Sequence, residues 1–184
     1  MLAIVSDTHA TEGHRLTDRT LAAVRDADVV VHAGDFMTGA VVDAFEREAA
    51  RLVGVVGNND DKAVRERFGE TAILDHEGLT AVVAHGHRHD RTQLSMLARQ
   101  EAADLVVVGH SHKPGVERLG EALLVNPGSH ADPRWHRPGH AELRLVDGEW
   151  RGELLEPDGT EIRAFGLGGP KGRDASTSGG DTDK

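Results

Sequence analysis

Short runs of aliphatic residues recur along the chain as far as Val108, and this feature constrains the fold most. The runs are Leu2–Ser6, Val29–Ala33, Leu52–Val56, Leu79–Ala84 and Leu105–Val108. Their β-branched residues follow one another without alternating polar residues, which is typical of strands that are buried on both faces. Such strands need a layer of structure on each side, so the pattern favours a layered fold of sheets and helices.

Amphipathic stretches separate the aliphatic runs and predict the helices. They cover Thr17–Asp26, Gly39–Ala50, Asp61–Phe68 and Arg91–Ala102. After Lys113 the pattern changes to short strands joined by turns, with Asp147-Gly148 as a hairpin turn. These later strands are predicted at Gly115–Arg118, Ala122–Val125, His140–Val146 and Glu149–Glu156. We therefore predict an α/β fold in which two sheets form a β-sandwich flanked by helices.

Length and composition predict one domain with a short tail. A chain of 184 residues suits a single core. We place the domain at residues 1–165 and a disordered polar tail at 166–184, because the tail has almost nothing to bury. The sequence shows no membrane span, signal peptide or cysteine, so we expect a cytoplasmic protein without thiolate sites. Its net charge of −10 disfavours binding to a nucleic-acid polymer.

Side chains that can bind metal follow each of the five aliphatic runs. In chain order they are Asp7 and His9, then Asp35, then Asn58 and Asp60, then His85 and His87, then His110 and His112. Ligands of α/β proteins bind at the carboxyl ends of the strands, so these side chains would meet in one cleft if the strands share a sheet and a direction. Glycines at positions 34, 57, 86 and 109 allow the backbone to approach an ion or a phosphate closely.

The donor types indicate which ions this cleft would hold. The first three motifs alone are ordinary turn or helix-cap sequences. The two histidine motifs are more indicative, because clustered histidines beside buried strands are costly without partners, and five motifs in order favour a metal centre. Oxygen and imidazole donors suit manganese, nickel, iron or zinc better than calcium. A carboxylate such as Asp35 can bridge two ions, which together can generate a hydroxide and clamp a phosphoryl oxygen. The sequence therefore predicts two divalent metal ions, with manganese as the first choice.

The ordered motifs resemble those of a known family. The series Asp7-x-His9, Gly34-Asp35, Gly57-Asn58-x-Asp60, His85-Gly86-His87 and Gly109-His110-x-His112 resembles the calcineurin-like metallophosphoesterases. The compact length and the Asn126-Pro127-Gly128-Ser129 segment are similar to the small YfcE-like phosphodiesterase branch, over about residues 1–155. The resemblance implies a four-layer αββα fold and a hydroxide held between two ions. It implies that one ion is held by Asp7, His9, Asp35 and His112, and the other by Asp35, Asn58, His85 and His110.

Catalytic roles are also expected at four positions. They are Asn59, Asp60, His87 and His110, the last of which is a metal ligand as well. Many phosphomonoesterases of the family carry histidine where this chain has Asn59, and an amide cannot deliver a proton at neutral pH. We therefore expect small phosphodiesters with good leaving groups to be preferred, with His87 or water in the acid role. Asp60 is expected to orient a neighbouring group by hydrogen bonding.

Other functions stay open from the sequence. The branch also resembles a retromer subunit, which would make the chain a non-catalytic metal-binding scaffold, although every ligand position here carries a competent residue. A third possibility is a phosphomonoesterase or nucleotidase for a small metabolite. A repair-type nuclease would need extra substrate-handling domains for which this length leaves no room.

Several further residues have open roles. Phe36, Met37, Leu94 and Met96 would suit either a pocket or the contact of a homo-oligomer. Loop residues that could orient a substrate are His14, Arg88 and His89, and Asn126 and Ser129 could line the cleft, although a solvated loop role is favoured for each of them. The histidines at positions 32, 76, 130, 136 and 140 are predicted to be structural or at the surface.

Overall fold

The computed structural model describes residues 1–168, which contain eleven strands and four helices. The strands are β1 (Leu2–Val5), β2 (Val29–His32), β3 (Leu52–Gly54), β4 (Thr71–His76), β5 (Leu79–Ala84), β6 (Leu105–Val107), β7 (Gly115–Leu119), β8 (Ala122–Asn126), β9 (His140–Val146), β10 (Glu149–Leu155) and β11 (Glu161–Gly168). The helices are α1 (Asp18–Asp26), α2 (Gly39–Glu48), α3 (Lys62–Arg67) and α4 (Arg91–Gln100).

The strands form two mixed sheets. The larger sheet has the order β11-β10-β9-β1-β2-β3, and the smaller sheet has the order β4-β5-β6-β8-β7. In the larger sheet β1, β2 and β3 run parallel to one another, as do β5, β6 and β8 in the smaller sheet. The other neighbouring strands pair antiparallel. Each sheet therefore contributes a set of parallel strands whose carboxyl ends can carry a site.

Alternate residues of the strands face two different cores, which explains the continuous aliphatic runs. Ile4 and Val31 point between the sheets and belong to one apolar cluster with Val83 and Val107 of the smaller sheet. Their neighbours in sequence point the other way, against the helices. Burial on both faces is what the absence of polar alternation predicted.

Helices cover both outer faces. Phe45 of α2 and residues of α1 pack with Val5 and Val30 on the larger sheet. Leu94 and Ala98 of α4 pack on the smaller sheet. Helix α4 begins at Arg91 because the Asp90 side chain accepts a hydrogen bond from the Gln93 backbone N–H at 2.8 Å. The predicted two-sheet, four-layer αββα architecture is confirmed.

Two features of the structure were left open or not foreseen by the sequence. The five motif strands are divided between the sheets, since β1, β2 and β3 lie in the larger sheet and β5 and β6 in the smaller. Strand β11 was not expected, and it extends to Gly168, beyond the predicted domain boundary at 165. The remainder of the predicted tail, 169–184, lies outside the described residues. Among the helices of residues 1–168, none is long and apolar enough to span a membrane.

Candidate metal centre

The motif side chains meet where the two sheets abut, although they come from different sheets. The His85 ring, which follows β5, shares a hydrogen bond of 2.7 Å between Nδ1 and the carbonyl oxygen of Ala33, which follows β2. The Gly109 N–H donates to the His85 carbonyl at 3.1 Å, and the Asp7 N–H donates to the Gly34 carbonyl at 3.0 Å. These bonds join the carboxyl ends of the parallel strands of both sheets into one cleft.

The backbone at the strand ends turns through a conformation that is rare for these residue types. Five of the predicted ligand residues have positive φ, which are Asp7 (54°), His9 (45°), Asp35 (59°), His110 (67°) and His112 (58°). Non-glycine residues in this left-handed region are uncommon and cluster at functional sites. The turns aim successive side chains into the cleft.

One group of side chains is tightly gathered, with two members buried and His9 partly buried. It consists of Asp7, His9 and His112, whose potential ligand atoms all lie within 4.8 Å of one another. The His112 Nε2 atom is 3.4 Å from Asp7 Oδ1, and the rings of His9 and His112 are stacked at 4.9 Å. Both Asp7 and His112 are fully buried. We call these three residues the buried group.

A second set of side chains adjoins the buried group and opens towards the surface. His85 Nε2 lies 3.3 Å from Asp35 Oδ2 and 3.2 Å from Asn58 Oδ1. The His110 ring lies 5.2 Å from the His85 ring, and both Asn58 and His110 are exposed. We call Asp35, Asn58, His85 and His110 the open group. Asp35 also contacts the buried group, because its Oδ2 lies 3.3 Å from His9 Nε2.

Glycines beside the ligands leave no room for a side chain. A Cβ atom at Gly57 would lie 2.1 Å from Asp35 Oδ1, and one at Gly109 would lie 2.1 Å from Ser6 Oγ and 2.8 Å from Asp7 Oδ2. These two glycines therefore let the backbone approach the two acidic side chains closely.

Asp60 holds the loops of the open group together. Its carboxylate accepts hydrogen bonds from the backbone N–H groups of Gly57 (2.6 Å), Met37 (2.7 Å) and Asp35 (3.2 Å). The orienting role expected for Asp60 agrees with these contacts. Asn59 is a second orienting residue, because its side-chain amide donates to Asp35 Oδ2 at 2.7 Å and its backbone N–H donates to Asp35 Oδ1 at 2.8 Å.

Sequence reasoning missed several groups that fix the ligands. The Ser6 hydroxyl donates to Asp7, and His112 Nδ1 donates to the carbonyl oxygen of Asp132 in the loop after β8. The Ser129 hydroxyl donates to the Asp7 carbonyl at 2.7 Å. A bond from one ring nitrogen to a carbonyl orients the other nitrogen into the site, as is usual for a metal-binding histidine.

Burial and pairing shift the acidic groups in opposite directions. Burial raises the pKa of Asp7, and the nearby His85 only partly opposes this effect. Burial also acts to raise the pKa of Asp35, but the His85 and His9 rings beside the carboxylate outweigh this effect and hold that pKa well below its usual range. The Asp35 carboxylate, 3.3 Å from His9 Nε2, raises the pKa of His9. Asp35 is therefore an anion next to both groups of histidines.

Two ring nitrogens in the buried group point to a ligand. His9 Nε2 and His112 Nε2 are buried and have no hydrogen-bond partner. An unpaired buried polar atom is costly, and a metal ion would satisfy both nitrogens at once. With Asp7 and Asp35 they offer oxygen and imidazole donors, a set that fits a transition-metal cation. The residues present therefore fit the divalent ions expected from the sequence.

Other candidate residues lie around the centre or away from it. His87 lies beside the open group, with its ring 5.3 Å from the His85 ring and 6.2 Å from the His110 ring. Burial lowers the pKa of His87. Arg88 pairs with Glu70 at the surface. Arg134, which the sequence did not single out, follows Asp132 and lies near enough to His110 to contribute to the lowering of its pKa, which burial and His85 dominate.

The histidines without an assigned role are mostly structural, as predicted. His32 is buried, stacks on Phe36 at 3.5 Å and bonds to Thr8. His140 is buried between Thr20 and Glu142, at 3.0 Å and 3.2 Å. Both nitrogens of each of these rings have protein partners, in contrast to the Nε2 atoms of His9 and His112.

The fold and the site define a class of protein, and a family comparison agrees with them. The model of the calcineurin-like phosphoesterase superfamily domain matches residues 1–148. The chain therefore belongs to this superfamily, whose members bind divalent metals and act on phosphoesters.

Three individual proteins are similar to this chain in sequence or in fold. A probable metallophosphoesterase from Mycoplasma pneumoniae is 36% identical over 156 residues, which are 79% of this chain and 89% of that protein. The phosphodiesterase MJ0936 from Methanocaldococcus jannaschii is 28% identical over 141 residues, which are 69% of this chain and 82% of that protein. The zinc complex of Vps29 from Entamoeba histolytica has a TM-score of 0.72 at 20% identity and covers 90% of this chain and 98% of its own. The last likeness shows the fold alone.

Proposed function

We propose that this chain is a metal-dependent phosphodiesterase that acts on small phosphodiesters. The observation that carries the proposal is the position of Asp35, whose Oδ2 lies 3.3 Å from His9 Nε2 of the buried group and 3.3 Å from His85 Nε2 of the open group. One carboxylate is thus shared by two sets of ligands. Hydrolysis would add water across one P–O ester bond and yield a phosphomonoester and an alcohol.

In this proposal, the ligand residues form two overlapping sets that share Asp35. Asp7, His9, Asp35 and His112 would hold one ion, and Asp35, Asn58, His85 and His110 would hold the other. Divalent ions at these positions would lower the pKa of water and offset the charge of the phosphoryl oxygens. Manganese is the first choice, and nickel, iron and zinc have suitable donors as well.

The protein side chains would keep the shared carboxylate in place. Asn59 donates two hydrogen bonds to Asp35, so its amide is engaged with the ligand set and has no proton to give to a leaving group. This contact supports a preference for esters with good leaving groups. His87 lies at the opening of the centre, where its neutral ring would donate a hydrogen bond to the leaving-group oxygen.

The name of the M. jannaschii relative supports the diester preference, because that protein is called a phosphodiesterase. The acidic surface, with a net charge of −10, supports a small substrate instead of a long polyanion. Both points concern the substrate, whereas family membership concerns phosphoester hydrolysis in general.

A paired assay tests the proposal. The protein is stripped of metal, reloaded with manganese or nickel, and assayed on bis(4-nitrophenyl) phosphate and on 4-nitrophenyl phosphate. We expect metal-dependent hydrolysis with a higher kcat/KM for the diester, and loss of this activity in Asp35→Asn and His112→Ala. Ile73→Ala, at an exposed position on β4, is the matched control and should keep wild-type activity.

Three outcomes would contradict parts of the proposal. Binding of two metal ions without turnover of either ester would favour a scaffold. A clear preference for the monoester would contradict the role given to Asn59. Full activity in Asp35→Asn would contradict the shared-carboxylate arrangement itself.

A further inference from the structure

A cavity of about 300 Å³ opens beside His110 of the open group. Gly86 and Gly109, which adjoin predicted ligands, form part of its lining. The cavity therefore begins where a phosphoryl group would sit and leads away along the smaller sheet. Its volume is at the lower end of the range for small-molecule pockets.

The inner walls of the cavity are apolar. They are formed by Leu94 of α4, Val108 at the end of β6 and Leu124 of β8. Leu94 and Val108 are buried at 5% and 8% exposure, whereas Leu124 is only partly buried and presents its side chain to the cavity. A flat, apolar group would remove this surface from water.

The rim of the cavity is polar and carries donors and acceptors. Ser111, Lys113 and Glu117 line it and are exposed. Glu117 pairs with Arg91 at 2.7 Å, whereas the ammonium of Lys113 has no carboxylate partner within residues 1–168. The rim thus offers a cation and hydroxyl-binding groups around an apolar interior.

The wall between the cavity and the metal centre is held rigidly. Asn126, only 6% exposed, donates from its side chain to the Gly109 carbonyl at 2.8 Å and to Ser111 Oγ at 3.0 Å. Its side-chain oxygen accepts from the Gly128 N–H at 2.9 Å. The loop that carries His110 and one side of the cavity therefore keep a fixed relation to each other, as a pocket that recognises part of a substrate requires.

We propose that this cavity binds the alcohol part of the substrate, and that this part is a single nucleoside. The inference rests on the proposed function, because it places the phosphoryl group of a diester at the metal centre. A nucleoside combines a planar heterocycle, which suits the apolar walls, with hydroxyl groups, which suit Ser111 and Lys113 at the rim. The substrate class is therefore a nucleoside phosphodiester in which one nucleoside fills the cavity.

The same lining disfavours other ester groups. An acyl chain would gain from the apolar walls but would have to cross the polar rim. A second nucleotide would have to extend past Glu117 at the rim, beyond the residues that line the cavity, and would gain no further contact there. A methyl ester would reach neither the walls nor the rim.

Equilibrium binding tests the cavity separately from catalysis. The dissociation constants of thymidine 5′-monophosphate and methyl phosphate are measured by titration calorimetry in manganese-containing buffer. We expect the nucleotide to bind at least about tenfold more tightly. Leu124→Trp, which fills the cavity, should reduce this ratio about tenfold. Glu117→Trp places the same side chain at an exposed position on the rim of the cavity. It should also reduce the affinity ratio, without changing the core.

Ile73→Trp is the matched control, since it adds the same side chain to an exposed position of the smaller sheet that does not line the cavity. It should keep the wild-type ratio. Equal binding of the two ligands by the wild type would overturn the proposal, as would an unchanged ratio in both tryptophan variants of the cavity. Discrimination without metal-dependent turnover of any diester would support the cavity and refute the phosphodiesterase. Metal-dependent turnover of a diester without discrimination between the two ligands would support the phosphodiesterase and refute the nucleoside cavity.

Discussion

The buried group and the open group of the metal centre are built from similar residues but differ in how they are held. Asp7 and His112 are fully buried and bonded to Ser6 and to the Asp132 carbonyl, so their positions are set before any ion binds. Asn58 and His110 are exposed at the rim. In the proposed two-ion arrangement, the buried group would be preformed, and Asn58 and His110 would be the adjustable part of the open group that faces the substrate.

Removing the carboxylate shared by the groups should have the largest effect. Asp35→Asn keeps the size of the side chain but removes the charge that lies beside His9 and His85. We expect diester kcat/KM to fall on the order of 10³-fold, because both ion sites lose an anionic ligand. Steady-state kinetics at saturating manganese measures this. A loss of tenfold or less would mean that Asp35 is not shared.

The comparison itself is tested by removing one histidine from each group. His112→Ala should weaken binding of the tighter ion on the order of 100-fold, because a buried and oriented donor is lost. His110→Ala should weaken only the second, looser ion, by about tenfold, because water can replace an exposed donor. Metal titration followed by calorimetry gives both affinities. Equal losses in the two variants would remove the distinction between the groups.

A third prediction disturbs the buried group without removing a ligand. The Cβ atom of Gly109→Ala would meet Ser6 Oγ and Asp7 Oδ2 at 2.1 Å and 2.8 Å. We expect the free energy of unfolding to fall by about 2 kcal/mol, as for other overpacked sites. Urea denaturation measures it, with Gly166→Ala as the control, because a Cβ there meets nothing within 4 Å. Equal stability of the two variants would show that the buried group can relax.

The smallest predicted effect concerns selectivity at the open group. Asn59→His would place a proton donor next to Asp35 where the amide now donates at 2.7 Å. We expect the ratio of monoester to diester kcat/KM to rise by about tenfold or less, below the roughly 10²–10⁴-fold of an optimised general acid, because the surroundings of position 59 are not built for a histidine. Asn59→Ala separates this gain from loss of the hydrogen bond, since it removes the amide and adds no acid. A rise in the alanine variant would refute the proton-donor explanation.

The parts of the site that could be predicted from sequence are those encoded locally. Asp7, Asp35 and His85 each follow a run whose burial is evident from its composition, so their places at strand ends could be predicted. The role of the Asp132 carbonyl could not be predicted, because any residue type supplies a carbonyl and its bond with His112 joins positions 20 residues apart. Whether the strands share a sheet also depends on pairing between distant segments, which the pattern of one strand does not encode.

Strand β11 shows why the last strand of the larger sheet was not predicted from sequence. Its burial alternates weakly along Glu161–Gly168, and it lies at the edge of the larger sheet beside β10. Phe165 packs over Gly152, where a Cβ atom would lie 2.3 Å from the ring. The contact depends on a glycine in another strand, which the local sequence of β11 does not reveal. The glycine-rich composition around 166 predicted a tail there, whereas β11 continues to Gly168.

The left-handed backbone at the ligand positions has a consequence for how this chain can be altered. Each non-glycine residue in that conformation costs about 1 kcal/mol or more. Glycine at Asp7, His9 or Asp35 would relieve this cost and remove a ligand in the same step. Selection for heat resistance alone would therefore gain nothing from the left-handed backbone at these positions. Heat resistance and activity would have to be selected together for the centre to persist.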